Sequence, residues 1–327
     1  MSIIEDRYGR KIDYLRISIT DRCNFRCKYC MPEEVDSIPH DQILSYEEIL
    51  RICKCAGLLG VCNFKVTGGE PFVRKGCMEL LSNLKKLPGA ETVTVTTNGM
   101  LLGEYLPELK RIGIDGVNIS LDSLKEDVFR EITGVPGLPA VRKAMMDAVA
   151  MGLRVKINCV LMRGVNETEI PEFVRLSRRY PIDVRFIEMM PIGYGRQYAA
   201  IPAEEVLSRI REVVPDLRSI DEKRGNGPAV YYKGSGQQGC IGIIQAVSHK
   251  FCDSCNRLRL TSDGFLKLCL YYPDGVDLKG PLRSGASDRD LTDVIDQAIL
   301  RKPKEHRFGE RQEIQEQDTR VMSGIGG

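Results

Sequence analysis

Six short stretches of the chain alternate apolar and polar residues with a period of two, the pattern of a strand with one greasy and one wet face. They are LRISIT from Leu15, NFKVTG from Asn63, TVTVTTNG from Thr92, GVNISLDS from Gly116, RVKINCVL from Arg154 and DVRFIEMM from Asp183. In the first, Leu15, Ile17 and Ile19 alternate with Arg16, Ser18 and Thr20; in the fifth, Val155 and Ile157 alternate with Lys156 and Asn158. The sixth is less regular, because Arg185 shares its face with Ile187 and Met189. Segments of helical period follow the strands. The clearest is SYEEILRICKCAGLLG, where Ser45 and Glu48 form a capping-box pattern; LPAVRKAMMDAVAMG and PAEEVLSRIREVV are others.

Strands alternating with helices predict βα units and a parallel sheet, hence an α/β fold. Six units are too few for a closed eightfold barrel, which leaves an open partial barrel or a flat doubly wound sheet. Strands covered by helices on both faces read as continuous apolar runs, and these do not. A parallel sheet with a polar face needs something polar to look at. The pattern therefore predicts a partial (βα)6 TIM-like barrel over residues 1–215, helices outside and a wet cavity inside. Over residues 216–327 the texture changes to a loop-rich C-terminal extension. Within it, RLRLTSDGFLKLCL reads as a hairpin around Asp263-Gly264, and a last helix runs from Ser287 to Arg301.

Lysine and arginine number 47 against 45 acidic residues, a net charge of +2 in 327 residues. No bulk field recruits nucleic acid or an anionic membrane, so neither is expected as a partner, and any anion site is local. No apolar run is long enough to span a bilayer, and MSIIEDRYGRKIDY lacks a signal-type apolar core, so the expected location is cytoplasmic. Twelve cysteines in such a chain point to metal or catalysis before disulfides. Cys53, Cys55, Cys62, Cys77, Cys159 and Cys240 are scattered and read as small buried hydrophobes.

The other six cysteines form two groups. Cys23, Cys27 and Cys30 are spaced C-x3-C-x2-C just after the first strand. A zinc site needs a fourth ligand, and the nearest histidine, His40, is ten residues on. A 4Fe–4S cluster accepts three protein thiolates if a small molecule takes the remaining iron. Cys252, Cys255 and Cys269 are spaced C-x2-C-x13-C across the hairpin. Here a zinc ribbon with His249 is the alternative. Arg257 and Arg259 alternate with Leu258 and Leu260, so both guanidiniums point one way, beside that second set.

TDRCNFRCKYC together with TGGEP (Thr67 to Pro71) resembles the signature of radical S-adenosylmethionine enzymes. With CDSCNRLRLT, TTNG, NISLDS, RFIEMMPIG and the terminal Gly-Gly, almost the whole chain resembles the GTP 3′,8-cyclase family, which begins molybdenum cofactor biosynthesis. The resemblance implies two 4Fe–4S clusters, each on three cysteines: Cys23, Cys27 and Cys30, and Cys252, Cys255 and Cys269. It implies S-adenosylmethionine contacts at Tyr29, Gly69, Ser120 and Met190, and GTP contacts at Arg16, Lys65, Thr96, Lys156, Arg185, Arg257 and Arg259. Arg16, Lys156, Gly326 and Gly327 would serve catalysis, the double glycine entering the cavity. At position 65 the family pattern carries an arginine; Lys65 neutralises phosphate as a point charge, without the guanidinium fork. The implied reaction is hydrogen abstraction from C3′ of GTP by a 5′-deoxyadenosyl radical, then C3′–C8 bond formation. Its implied partners are a reductant such as flavodoxin or ferredoxin and a downstream cyclic pyranopterin monophosphate synthase, with room for a homodimer. Rival readings are a radical peptide-modifying enzyme, an electron-transfer iron–sulfur protein and a zinc-binding interaction module.

Overall fold

The computed structural model describes residues 4–31, 37–222, 224–308, 318, 320 and 322–326. Each alternating run is a strand: β1 (Tyr14–Ser18), β2 (Asn63–Thr67), β3 (Thr92–Thr97), β4 (Gly116–Ser120), β5 (Val155–Leu161) and β6 (Ile182–Glu188). Between and after them come α1 (Tyr46–Leu58), α2 (Cys77–Lys85), α3 (Leu102–Ile112), α4 (Glu126–Thr133), α5 (Leu138–Ala150), α6 (Ile170–Arg179) and α7 (Ala203–Val213). The remainder supplies β7 (Arg218–Ile220), β8 (Val230–Lys233), β9 (Ile241–Ile244), β10 (Arg257–Leu260), β11 (Phe265–Lys267), β12 (Gly275–Asp277), α8 (Lys279–Arg283) and α9 (Asp288–Leu300).

β1 to β6 lie side by side in chain order, all parallel. The C-terminal residues extend this sheet at both edges. β10 adds in parallel beside β1 and continues into β11 and β12, while β9 adds in parallel beside β6 and continues into β8 and β7. The hairpin expected around Asp263-Gly264 is the β10–β11 pair. Both edges of the parallel block are thereby covered rather than left as open hydrogen-bonding rows.

The greasy face carries the core. Leu15, Ile17, Phe64, Val66, Val95, Ile119, Ile157 and Phe186 are all at most 1% exposed, packed with the apolar stripes of the helices. Each such side chain contributes roughly 1.5–3 kcal/mol relative to exposure. Five of the scattered cysteines, Cys53, Cys55, Cys77, Cys159 and Cys240, are buried there as small hydrophobes; Cys62 is half-buried.

The polar face is interior as well. Ser18, Thr96, Asn118, Lys156, Asp183 and Arg185 are all buried. The loop before β8 crosses this face at the strands' N-terminal ends. Arg224 pairs with Asp183 of β6 at 2.9 Å, and Asn226 Nδ2 donates to Asn63 Oδ1 of β2 at 2.7 Å and to Thr92 Oγ1 of β3 at 2.9 Å. Among the described residues no helix is long and apolar enough to cross a membrane.

The capping box at α1 is complete: Glu48 N–H donates to Ser45 Oγ at 3.2 Å and Ser45 N–H to Glu48 Oε2 at 2.7 Å. Ser45→Ala should cost about 1 kcal/mol by urea titration with iron binding unchanged; no change in stability would mean that the box carries no weight here.

Candidate functional site

The first cysteine loop is seated by close backbone contact with the TGGEP turn. Gly69 N–H donates to Thr20 C=O at 2.7 Å and Glu70 N–H to Arg22 C=O at 2.8 Å. A Cβ on Gly69 would lie 2.3 Å from the Arg22 carbonyl oxygen, so only glycine permits the approach. The far side of the loop is tied to the end of α4, where Arg26 N–H donates to Thr133 C=O and Lys28 N–H to Ile132 C=O. Cys23, Cys27 and Cys30 all face one cavity. Burial pushes the Cys23 thiol up, and burial with Cys30 and Asp122 holds Cys27 well above the ordinary range. Metal binding there must displace protons.

The acid of TGGEP does not line the cavity. Glu70 is fully buried and accepts from Phe72 N–H, Thr97 Oγ1 and Asn98 N–H at 3.1, 2.8 and 2.7 Å. Burial pushes it up to about 7 against those hydrogen bonds. It struts the end of β2 to the end of β3, while Gly68 and Gly69 face the cavity. Across the loop, Tyr29 donates to Asp122 Oδ2 at 2.7 Å, and Asp122 Oδ1 accepts from Val160 N–H at 2.8 Å. Burial raises Asp122 to about 6.

The second set lines the same cavity. Cys252 and Cys255 stand before β10 and Cys269 after β11. Burial alone would raise Cys255, but Lys302 and Arg257 outweigh it and bring its thiol down to about 6. Among the described residues no three His, Cys, Asp or Glu side chains converge tightly enough for one metal ion, and neither His40 nor His249 lines the cavity. Two sets of three soft thiols opening on a shared space suit 4Fe–4S clusters that each leave an iron for a small molecule.

Between the two sets runs the polar face, and its order follows from register. Arg259, Arg16 and Lys65 lie in one row across β10, β1 and β2. Ser120, Asn158 and Arg185 form another across β4, β5 and β6. In register with Arg185 is Gly242, whose added Cβ would come within 2.9 Å of the Arg185 Cγ. Arg185 Nη2 donates to Asn118 Oδ1 at 2.6 Å. Burial and the neighbouring Arg185, Arg16, Lys156 and Arg257 drive Lys65 well below the usual lysine range. Burial, then Arg16 and Arg257, takes Arg259 down to about 9. Three buried polar atoms here have no hydrogen-bond partner among the described residues: Thr96 Oγ1, Asn158 Oδ1 and Arg185 Nε. Orphans of this kind mark a place that a ligand completes.

The tail reaches this face. Gly326 C=O accepts from Arg16 Nε at 2.8 Å and from Arg259 Nη1 at 3.1 Å. Gly326 has φ +75°, and a Cβ there would meet Ser18 and Thr67 at 3.2 Å. Gly327 lies outside the described residues.

Tyr29, Gly69, Ser120 and Met190, expected around S-adenosylmethionine, all line the cavity; Met190 packs in the same apolar cluster as Cys269. Arg16, Lys65, Thr96, Arg185, Arg257 and Arg259 line the cavity too. Lys156 does not. Its Nζ sits deeper, 3.3 Å from Tyr231 Oη and 3.8 Å from Asp183 Oδ2. Asn158 and Asp122 also line the cavity; alternation had placed Asn158 on this face without a role. Lys302 and Arg10, which support the second set, stand in no periodic pattern.

Two family models match: the radical SAM superfamily over residues 17–177 and Molybdenum Cofactor Synthesis C over residues 182–308. The chain is 42% identical to the GTP 3′,8-cyclase of Clostridium perfringens over 325 residues, covering 99% of this chain and 100% of that protein. It is 44% identical to the GTP 3′,8-cyclase of Moorella thermoacetica over 332 residues, covering 99% and 100%. Among solved structures, Streptococcus suis SuiB bound to S-adenosylmethionine superposes with TM-score 0.63 at 16% identity, over 91% of this chain and 74% of that one, a likeness of fold. With relatives this close along its whole length, the chain belongs to the GTP 3′,8-cyclase family of the radical SAM superfamily.

Proposed function

We propose that this chain converts GTP to its 3′,8-cyclic dihydro nucleotide, (8S)-3′,8-cyclo-7,8-dihydroguanosine 5′-triphosphate, the first step of molybdenum cofactor biosynthesis. The observation that carries the reading is one cavity with a three-cysteine set at each end and a basic wall between them. Cys23, Cys27 and Cys30 hold the cluster that binds S-adenosylmethionine, and Cys252, Cys255 and Cys269 hold the cluster that meets the guanine. When bound, the first cluster and S-adenosylmethionine supply one-electron chemistry that removes the C3′ hydrogen of GTP.

The remaining work falls to the chain's own residues. Tyr29, Gly69, Ser120 and Met190 seat S-adenosylmethionine against the first set. Arg257 and Arg259 flank the second set and orient the nucleotide there. A triphosphate brings about four negative charges, and Arg16, Lys65 and Arg185 are cavity cations without a carboxylate partner among the described residues. Lys156, deeper in the wall, adds charge from below, and Thr96 completes its hydrogen bonding on the ligand. Arg16 and the Gly326-Gly327 tail act at the reacting sugar and base, with the tail excluding water. Binding near apolar strands makes each charge contact stronger than it would be in solvent.

Residues 1–215 form the partial (βα)6 barrel in this reading, and residues 216–327 the auxiliary-cluster and substrate-binding region. Support for the barrel lies in charge contact across the sheet: burial lowers the basicity of Arg16 on β1, and Arg185 on β6 is near enough to add to that lowering. A flat sheet would hold those strands about 24 Å apart. A reductant of the flavodoxin or ferredoxin type, the pyranopterin synthase that takes the product, a homodimeric assembly and a cytoplasmic setting complete the proposal.

The deciding experiment uses anaerobically reconstituted, reduced protein with S-adenosylmethionine and GTP deuterated at C3′. Deuterium should appear in 5′-deoxyadenosine by mass spectrometry; unlabelled 5′-deoxyadenosine would overturn abstraction at C3′. Lys156 is held at about 8 by burial and Arg185. Its protonated form binds the anion, so GTP affinity should be level below that pH and fall above it. Calorimetry in buffers of different ionisation enthalpy should show proton uptake at that pH, and none would remove Lys156 from the phosphate site. Gly326→Ala forces a side chain into left-handed backbone against Ser18 and Thr67. Turnover should fall about 100-fold with iron content unchanged, and unaltered turnover would show that the tail's seat is dispensable.

A further inference from the structure

The second cysteine set is assembled by a segment that follows α9, and this inference rests on the reading that Cys252, Cys255 and Cys269 hold a cluster. Lys302 is 2% exposed. Its ammonium donates to Arg257 C=O at 2.9 Å and to Leu268 C=O. Arg257 lies two residues past Cys255, and Leu268 immediately precedes Cys269. One ammonium thus ties together the main chains that present two of the three thiols. The third is held through the same segment. Arg10 is buried and donates to Cys252 C=O at 2.9 Å, to Lys304 C=O at 2.7 Å and to Pro303 C=O at 2.7 Å. Asp6 fixes Arg10 in turn, accepting from its Nε at 2.6 Å.

The charge of Lys302 matters as much as its hydrogen bonds. Among the described residues it makes no ion pair with a carboxylate; its hydrogen-bond partners are neutral carbonyls. A buried cation in that condition is costly unless an anion completes it. It lines the cavity beside Cys252, Cys255 and Cys269. Three thiolates on a cluster supply the missing anion.

We propose that Lys302 is the positioning residue of the second iron–sulfur site, setting the spacing of the Cys255 and Cys269 arms and supplying the countercharge to their thiolates. Hydrogen bonds and charges behind the ligands govern how tightly a site holds its metal and at what potential it is reduced.

The test uses the full chain with Cys23, Cys27 and Cys30 changed to Ala, so that only the second site can load. After anaerobic reconstitution, Lys302→Met should lose iron to a chelator about 10–100-fold faster than this background. The electron paramagnetic resonance spectrum of the reduced cluster should change as well. Lys302→Arg, which restores charge and donors, should recover both. Iron retained at the background rate with an unchanged spectrum would overturn the proposal. If Lys302→Met yields no folded chain, Lys302→Gln, which keeps a donor and loses the charge, decides by the same two readouts. A background protein that binds no iron and sulfide at all overturns the reading of the Cys252 set, and the inference with it, before Lys302 is touched.

Discussion

Like charges confined to one buried face are the constraint around which this fold is arranged. Arg16, Lys65, Arg185, Arg257 and Arg259 look into a single cavity, where burial and then their mutual repulsion depress the basicity of Lys65 and Arg259. Such a group survives folding only if the surrounding core over-determines it. The aliphatic face of the same strands supplies that surplus. Every second residue of β1 to β6 is locked into the helical layer, so its neighbours have nowhere to turn but inward.

Parallel register converts this alternation into geometry. Strands in register set Arg259, Arg16 and Lys65 abreast, and the Gly326 carbonyl bridges the two arginines of that row. A neutral carbonyl can share two guanidiniums without cancelling their charge, so the tail orders the row and leaves its field intact. At the opposite end of the strands, Asp183 takes the charge of Arg224 and comes within reach of Lys156. The acid at the base is thus spent on Arg224 and Lys156, away from the row of Arg259, Arg16 and Lys65.

Much of this was legible in the sequence because it is periodic. The six alternating runs match β1 to β6 to within three residues at their ends, and the faces read from Arg16, Thr96, Ser120 and Lys156 are the interior ones. Capping at Ser45 and the start of the last helix at Ser287 were legible because their signals are local. Lys302, Arg10 and the bridge made by Asn226 were not. Each joins segments more than 30 residues apart through a single side chain, and no period or short motif records such a contact. The role of Glu70 was not legible either: it stands in the TGGEP stretch and spends its carboxylate on Thr97, Asn98 and Phe72. Lys156 fell on the correct face but at a depth that alternation does not encode.

Gly242 carries a consequence for how such chains can diverge. The space that a methyl group would need there is filled by the stem of Arg185 on the adjacent strand, with Tyr231 and Ala229 closing the other sides. The absence of a side chain at one position is therefore the condition for a long side chain at the other. Drift at position 242 alone evicts the cation, and drift at position 185 alone leaves a hole beside a glycine. Across descendants of this fold the two positions can change only together, and their covariation would trace the depth of the cavity through lineages whose sequences have otherwise parted.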